Sequence, residues 1–370
     1  MRLLTQLQAR KLVDRYMDKE DKIILTQEIL DSGAIPLLKG FKVKPGKVSD
    51  SIFGGRIDCI DKSGQRVEYE NPPLETKDGL PLRIMVRTQR ISTHDINRGE
   101  IPFKDQILAA NHNYMRKMLS EALGTSQFEV EGLEDNSIVV AAENLKQIPF
   151  ENVLRAYMAK SSTSTSLYQH YIKGGRNFCG HSLPDNLITN GLLPYIMDTP
   201  STKSEIHDES VSPEQLFERG ICTPAQYAQI RNSSIFAFGM VSQFLRQKEL
   251  IAVDTKTEHG INKNGKMVSQ DEIWTMDSSR FWLLDDYNEQ LKKLAKGEIK
   301  ELNPRSYSKE FARGFSEGEK GYTDEQRAQI AVRYIEGVQH LLGRRFEPDM
   351  RSNEERVVSG IEKIIEQLVV

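Results

Sequence analysis

The sequence predicts an α+β fold, with antiparallel sheets in the middle of the chain and helices at both ends. Three observations carry this. Residues 41–70 read as short β-like runs broken by turn residues, Gly54-Gly55 and then Lys62-Ser63-Gly64. The first forty residues, residues 323–342 and residues 353–368 place apolar side chains at helical spacing. Asn264-Gly265, between two strand-like runs, is the strongest two-residue hairpin signal in the chain. Four segments follow: a helical extension over 1–40, an antiparallel-sheet domain over 41–145, a central domain over 146–300, and C-terminal helices over 301–370.

Taken in order, Leu4, Leu7, Leu12, Val13 and Tyr16, then Ile23, Ile24, Leu25, Ile29 and Leu30, predict one or two helices. A meander over 41–70 precedes a loop over 71–82 that holds Pro72, Pro73, Gly79 and Pro81, and residues 82–86 resume as a strand. Residues 103–123 are helical. Residues 128–130 and 138–142 read as a strand pair around an acidic turn, and residues 151–158 as either a strand or a short helix. Residues 161–208 are rich in Ser, Thr, Gly, Pro and Asn with little periodicity, the composition of a long functional or disordered loop. Thr223-Pro224 opens a long helix to residue 250, and residues 285–295 form another.

Composition narrows the function classes. Across 370 residues, 50 Lys+Arg against 53 Asp+Glu leave a net charge of -3, which argues against a polybasic nucleic-acid binder. No apolar run approaches the roughly 20 residues of a membrane helix, and the polar Thr5-Gln6 interrupts any secretory signal, so a cytoplasmic protein is expected. Cys59, Cys179 and Cys222 are widely spaced and read as reduced thiols. The seven histidines show no i, i+4 pair, so a histidine metal site has little support.

The most informative stretch is residues 251–274. Strand alternation puts Asp254, Lys256 and Glu258 on one face. A type I′ turn at Asn264-Gly265 pairs Lys263 with Lys266 and, counted back, sets Glu258 opposite Asp271. Facing carboxylates destabilise a sheet, and Mg2+, which takes one or two carboxylates plus substrate phosphates, is the natural compensation. The alternative is a solvated face with Lys256 as an ordinary ion-pair partner, and a one-residue slip would dissolve the pairing. Asp277-Ser278-Ser279-Arg280, Thr199-Pro200-Ser201-Thr202-Lys203 and Pro45-Gly46-Lys47 each combine donors suited to phosphate, and each alone also reads as a polar loop.

In order along the chain, these segments resemble the SAICAR synthetase (phosphoribosylaminoimidazole-succinocarboxamide synthase) family. Gly46-Lys47-Val48-Ser49-Asp50 resembles its G-K-V-R-D, and Arg90-Ile91-Ser92 with Asp95 its S-D-R-I-S-x-x-D. Ile148-Pro149-Phe150-Glu151 through Arg155, Tyr157 and Ser161 is similar to I-P-L-E-x-x-x-R-x-Y-x-x-G-S. Thr199 to Lys203 with His207-Asp208-Glu209, then Asp254 to Gly260, then Asp271-Glu272 and residues 277–282 complete the series. The resemblance implies an ATP-grasp-like, two-lobed fold with a kinase-like N-terminal sheet as its ATP-binding domain. It implies ligation of L-aspartate to carboxyaminoimidazole ribonucleotide (CAIR), using ATP and Mg2+, through an acyl phosphate in purine biosynthesis.

By the same resemblance, Lys47 contacts ATP phosphates, and Ala142, Glu143 and Leu145 lie at the adenine. Glu258 and Asp271 hold Mg2+ beside the nucleotide, and Lys256 and Asp254 are catalytic. Arg90, Arg155, Ser161, Thr202, Lys203, Asp208 and Arg280 meet the substrates. Thr202-Lys203 is implied to belong to a mobile loop. Ser49, Gln89, Lys160 and His259 depart from the family pattern. At Lys160 either the loop takes another backbone shape or the lysine makes a new anion contact. A related amide ligase with another acid or amine, or a non-catalytic nucleotide-binding homologue, stays open as an alternative. The terminal helices either pack on the core or build a homo-oligomer interface.

Overall fold

The computed structural model describes residues 2–19, 25–60, 65–203 and 208–369. Ile23, Ile24, the turn at 62–64 and His207 lie outside the described residues. Two antiparallel sheets organise the chain. The smaller runs in the order Lys44–Pro45, Ser49–Phe53, Leu82–Arg87, Val139–Glu143, with the hairpin Gly55–Ile60 and Arg66–Asn71 beside it. The larger is built around Leu250–Ile261, which pairs with Lys146–Tyr157 on one side and with Ser279–Leu283 and Met267–Gln270 on the other. Leu192–Asp198 forms one edge and Ser306–Tyr307 the other.

Residues 151–158, open between strand and helix in the sequence, belong to the twelve-residue strand Lys146–Tyr157. Pro149 in this strand cannot donate to the ladder, and strands accommodate such a residue with a bulge. The register shifts there, between the Thr257/Asn152 and His259/Ile148 pairs, so Glu258 sits at the irregularity. The expected strand at 128–130 does not form; Phe128 makes a single amide bond to the Ala141 carbonyl, at 2.9 Å. The long polar stretch over 161–208 holds a helix, Leu167–Ile172, and the edge strand Leu192–Asp198. An edge position tolerates Pro194 within that strand.

The two largest apolar cores among the described residues position the lobes. In the larger, the helices Lys104–Leu123, Pro224–Arg246 and Asp324–Leu342 pack on the central sheet, joined by Ala9 and Val13 of the N-terminal helix Gln6–Met17. Thr223 caps the second of these helices as its Thr-Pro start predicts, accepting the Gln226 amide. In the smaller core, Ile29 and Leu30 of Thr26–Ser32 and Val357, Ile361 and Ile364 of Asn353–Ile364 lie against Ile52, Ile84, Val86 and Val139 of the small sheet. Full burial of such a side chain is worth about 1.5–3 kcal/mol, so both terminal segments are integral to the lobes they cover. Among the described residues no helix is long and apolar enough to cross a membrane.

The C-terminal helix meets the small sheet closely enough to exclude a methyl group. A Cβ on Gly360 would lie 2.8 Å from Val139 Cγ2 and 2.9 Å from its Cβ. Gly360→Ala is expected to destabilise the protein by about 1–3 kcal/mol, read as a lower urea midpoint with unchanged slope. An unchanged midpoint would show that this helix is not seated on the sheet.

Candidate active site

A cavity of about 350 Å3 opens between the lobes, floored by the face of Leu250–Ile261 that carries Asp254 and Lys256. Asp254 is flanked by an arginine on each neighbouring strand, Arg155 and Arg280. Arg280 donates to it through Nε at 2.9 and 3.0 Å and through Nη2 at 2.6 Å, and Arg155 adds an Nη1 contact at 3.3 Å. Burial drives the Asp254 carboxyl up, but Arg280 and then Arg155 outweigh it and hold it below its ordinary value. One residue pair further along the face, Lys256 forms an ion pair with Glu151. Burial disfavours its ammonium, yet Glu151 and Glu258 hold its pKa above the ordinary lysine value, so it stays charged.

Glu258 continues the alternation and is buried. Its register differs from the sequence expectation. The hairpin holds three loop residues, with Ile261 facing Met267 and the Asn262 amide bonding the Lys266 carbonyl at 2.9 Å. Of Asn264 and Gly265, only Gly265 adopts positive φ, +77°, whereas a type I′ turn needs it at both positions. The Asn262 side chain accepts from the Asn264 and Lys266 amides at 3.1 and 2.8 Å, which favours the larger loop. Glu258 therefore faces Gln270.

Asp271 leaves the strand end at φ +58°, and the two carboxylates still feel each other. Burial first and Asp271 second push the Glu258 carboxyl above its ordinary value, against Lys203 and Lys256. Lys203 reaches Glu258 because its amide bonds the Pro149 carbonyl at 3.2 Å, next to the bulge, and its ammonium then pairs with that carboxylate. Among the described residues no group of three or more His, Cys, Asp or Glu side chains is gathered to hold a metal unaided. A buried carboxylate with a second, half-buried one acting on it fits a divalent cation that completes its shell with phosphate and water.

Of the sequence-derived site residues, Lys47, Arg155, Ser161, Asp208, Asp254, Lys256 and Arg280 line this one cavity. Ala142 and Glu143 end the small sheet, and Leu145 immediately precedes the large one, where Gly260 leaves room for it; a Cβ on Gly260 would lie 2.7 Å from Leu145 Cβ. Two amides of this connection are engaged internally, Glu143 with the Ser126 carbonyl at 2.7 Å and Asn144 with that of Pro81 at 2.8 Å.

Arg90 and Thr202 are engaged within the protein. Arg90 is not among the cavity-lining residues; its Nη2 bonds buried Asp50 at 2.5 Å and the Gly46 carbonyl at 2.9 Å, because a buried carboxylate requires a counter-charge. Thr202 does not line the cavity either; its hydroxyl accepts the Glu209 amide at 3.1 Å and closes the base of the loop it begins. Residues 204–207 of that loop lie outside the described residues. Lys160 pairs with Glu301 at 2.6 Å, while its carbonyl accepts from Arg280 at 2.8 Å, so its side chain is turned away from the cavity.

The sequence reading missed Lys309 and Arg313, which line the same cavity from one helical turn. Lys309 lies 3.5 Å from Asp277, a carboxylate also paired with buried Lys104 at 2.9 Å. Burial lowers Lys309 to about 8, against the pull of Asp277. Their i, i+4 spacing is a weak signal, common to any solvated helix face.

Residues 75–329 match the family model described as SAICAR synthetase. The chain belongs to the SAICAR synthetase family. It is 33% identical over 326 residues to the phosphoribosylaminoimidazole-succinocarboxamide synthase, chloroplastic, of Arabidopsis thaliana, covering 82% of this chain and 75% of that relative. In fold it is similar to a SAICAR synthase from Saccharomyces cerevisiae solved with SAICAR. That likeness has a TM-score of 0.58 at 21% identity and covers 83% of this chain and 97% of that one. It is also similar to a type-2 SAICAR synthetase solved with ADP, with a TM-score of 0.56 at 20% identity over 83% of this chain and 100% of that one. The two-lobed architecture is thus the ATP-grasp-like fold of SAICAR synthetases.

Asp254→Asn would leave Arg155 and Arg280 buried beside a neutral amide. Removing one partner of such a cluster is expected to destabilise the fold by about 3–5 kcal/mol, measured by urea unfolding. A loss below about 1 kcal/mol, the range of exposed pairs, would show that the two guanidinium groups are solvated.

Proposed function

We propose that this protein joins L-aspartate to CAIR with ATP, producing SAICAR, ADP and phosphate in purine biosynthesis. The observation that carries this reading is the cavity in which Arg155, Asp254, Lys256 and Arg280 converge, in a chain of the SAICAR synthetase family. A carboxylate is a poor acylating agent. In the proposed reaction a CAIR carboxylate oxygen attacks the γ-phosphorus and ADP departs. The aspartate nitrogen then attacks the acyl carbon, loses a proton, and phosphate leaves with one former carboxylate oxygen.

The chain's own part is positioning and charge neutralisation. Arg155, Ser161 and Arg280 are assigned to the ribonucleotide phosphate, with Asp254 fixing both guanidinium groups. Lys256, kept charged by Glu151 and Glu258, steadies the transferring phosphoryl group. Asp208 borders the substrate pocket, and Lys203 reaches the substrates from its loop once it releases Glu258. Lys47 takes ATP phosphates, and the connection from Ala142 through Glu143 to Leu145 borders the adenine with its remaining backbone groups. Glu258 and Asp271 would hold Mg2+, which supplies neutralising charge where phosphates and the substrate carboxylate meet. The cytoplasmic location remains part of the proposal, resting on cysteine usage without a disulfide pattern.

Purified protein should release ADP only when both CAIR and L-aspartate are present. Glu258→Gln and Asp271→Asn should each abolish turnover while keeping the wild-type circular dichroism and melting profile, because each removes a ligand while relieving repulsion. Wild-type turnover in either variant would refute the metal assignment, and ADP release with another acid or amine alone would refute the substrate assignment.

A further inference from the structure

Two hydrogen bonds from the N-terminal helices end beside the Gly46-Lys47 turn. Thr26, the first residue of Thr26–Ser32, donates its hydroxyl to Asp50 Oδ2 at 2.7 Å, both residues being buried. The other Asp50 oxygen accepts from Arg90, whose same nitrogen donates to the Gly46 carbonyl. Gly46 closes the turn through its amide on the Ser49 carbonyl at 2.8 Å, so tightly that a Cβ there would lie 2.4 Å from that oxygen. Next to Arg90, the Gln89 side chain, only 3% exposed, donates to the Tyr16 hydroxyl at 2.5 Å. Tyr16 belongs to Gln6–Met17, and its ring packs on Phe103 with centroids 4.3 Å apart. Gln89 is one of the positions at which the sequence departs from the family pattern, and its amide is the group that reaches Tyr16.

These bonds form a relay: Thr26 to Asp50, Asp50 to Arg90, Arg90 to the Gly46 carbonyl, with Tyr16 and Gln89 holding the residue before Arg90. Both helices lie outside the span matched by the family model. Lys47 itself is exposed, its partner Asp95 lying 2.5 Å away on the surface. The turn's backbone, which the relay fixes, sets where the Lys47 side chain starts, and Asp95 engages its ammonium. We propose that the N-terminal helices are the positioning element of the nucleotide-phosphate turn, acting through Thr26 and Tyr16, a role that rests on reading Lys47 as an ATP contact. Thr26, Tyr16, Gln89, Asp50 and Arg90 act through Gly46 and Lys47 and are positioning residues.

The test compares Thr26→Val, its conservative partner Thr26→Ser, and Tyr16→Phe. The readouts are calorimetric binding of Mg-ADP and the KM values for ATP, CAIR and aspartate, all well below each variant's Tm. A hydrogen bond to a buried carboxylate sets the scale, so Thr26→Val should weaken ADP binding and raise the ATP KM by about tenfold. The KM values for CAIR and aspartate should stay within about twofold, the scatter of an uncoupled site. Thr26→Ser should restore the wild-type values, and Tyr16→Phe should weaken ADP binding by about threefold for a neutral bond. Should Thr26→Val not fold, Tyr16→Phe carries the same comparison. A lower Tm with ADP affinity unchanged, or equal changes in all three KM values, would overturn the proposal. If wild-type protein binds ADP but makes no SAICAR, the ligase reading fails, and the ADP comparison still decides this one.

Discussion

The site depends on the cross-strand cluster of Arg155, Asp254 and Arg280. Three adjacent strands bring one carboxylate between two guanidinium groups, all largely removed from water. Such a cluster gains little net stability over an apolar packing of the same shape, because desolvation offsets most of the attraction. What it supplies is position: the carboxylate holds Arg280 through three contacts and Arg155 through one, fixing both guanidinium groups on one face. The same logic repeats along the strand, where Lys256 meets Glu151 and Lys203 meets Glu258. Each of these cations is held against a carboxylate of the protein, Arg155 and Arg280 sharing one, which is how a chain of net charge -3 keeps an excess of positive charge in place for anionic substrates.

Several levels of structure converge on that strand. Pro149 interrupts the neighbouring ladder, the bulge opens at Glu258, and the freed carbonyl catches the Lys203 amide. Gly260 lets Leu145 approach, which sets where the chain crosses between the lobes. Behind the small sheet, the N-terminal and C-terminal helices fill one core and send Thr26 to the turn that carries Lys47. The terminal additions are thus continuous with the active-site scaffold.

Much of this was legible in the sequence, for physical reasons that also mark its limits. Period-two alternation is strict, so Asp254, Lys256 and Glu258 could be placed on one face without coordinates. The hairpin was legible as a hairpin, but its register was not, because it turns on the Asn262 side chain and on the φ of Asn264. The Glu258 and Asp271 carboxylates came close by a route the count did not describe. The partner of Arg90 was not legible, because an arginine in a motif does not show which anion it meets, and here it meets Asp50. Lys309 and Arg313 were missed because only the folded chain brings residues 306–313 to residues 254–280. The links from Thr26 to Asp50 and from Tyr16 to Gln89 span 24 and 73 residues and leave no periodic trace.

The most direct measurement of the central claim follows one oxygen atom. CAIR labelled with 18O in its carboxylate, incubated with the enzyme, ATP, Mg2+ and L-aspartate, should yield inorganic phosphate carrying one labelled oxygen per turnover, seen by 31P NMR or mass spectrometry. That transfer requires the carboxylate to have been phosphorylated in the cavity where Lys256 and the arginine pair converge. SAICAR formed alongside unlabelled phosphate would contradict it.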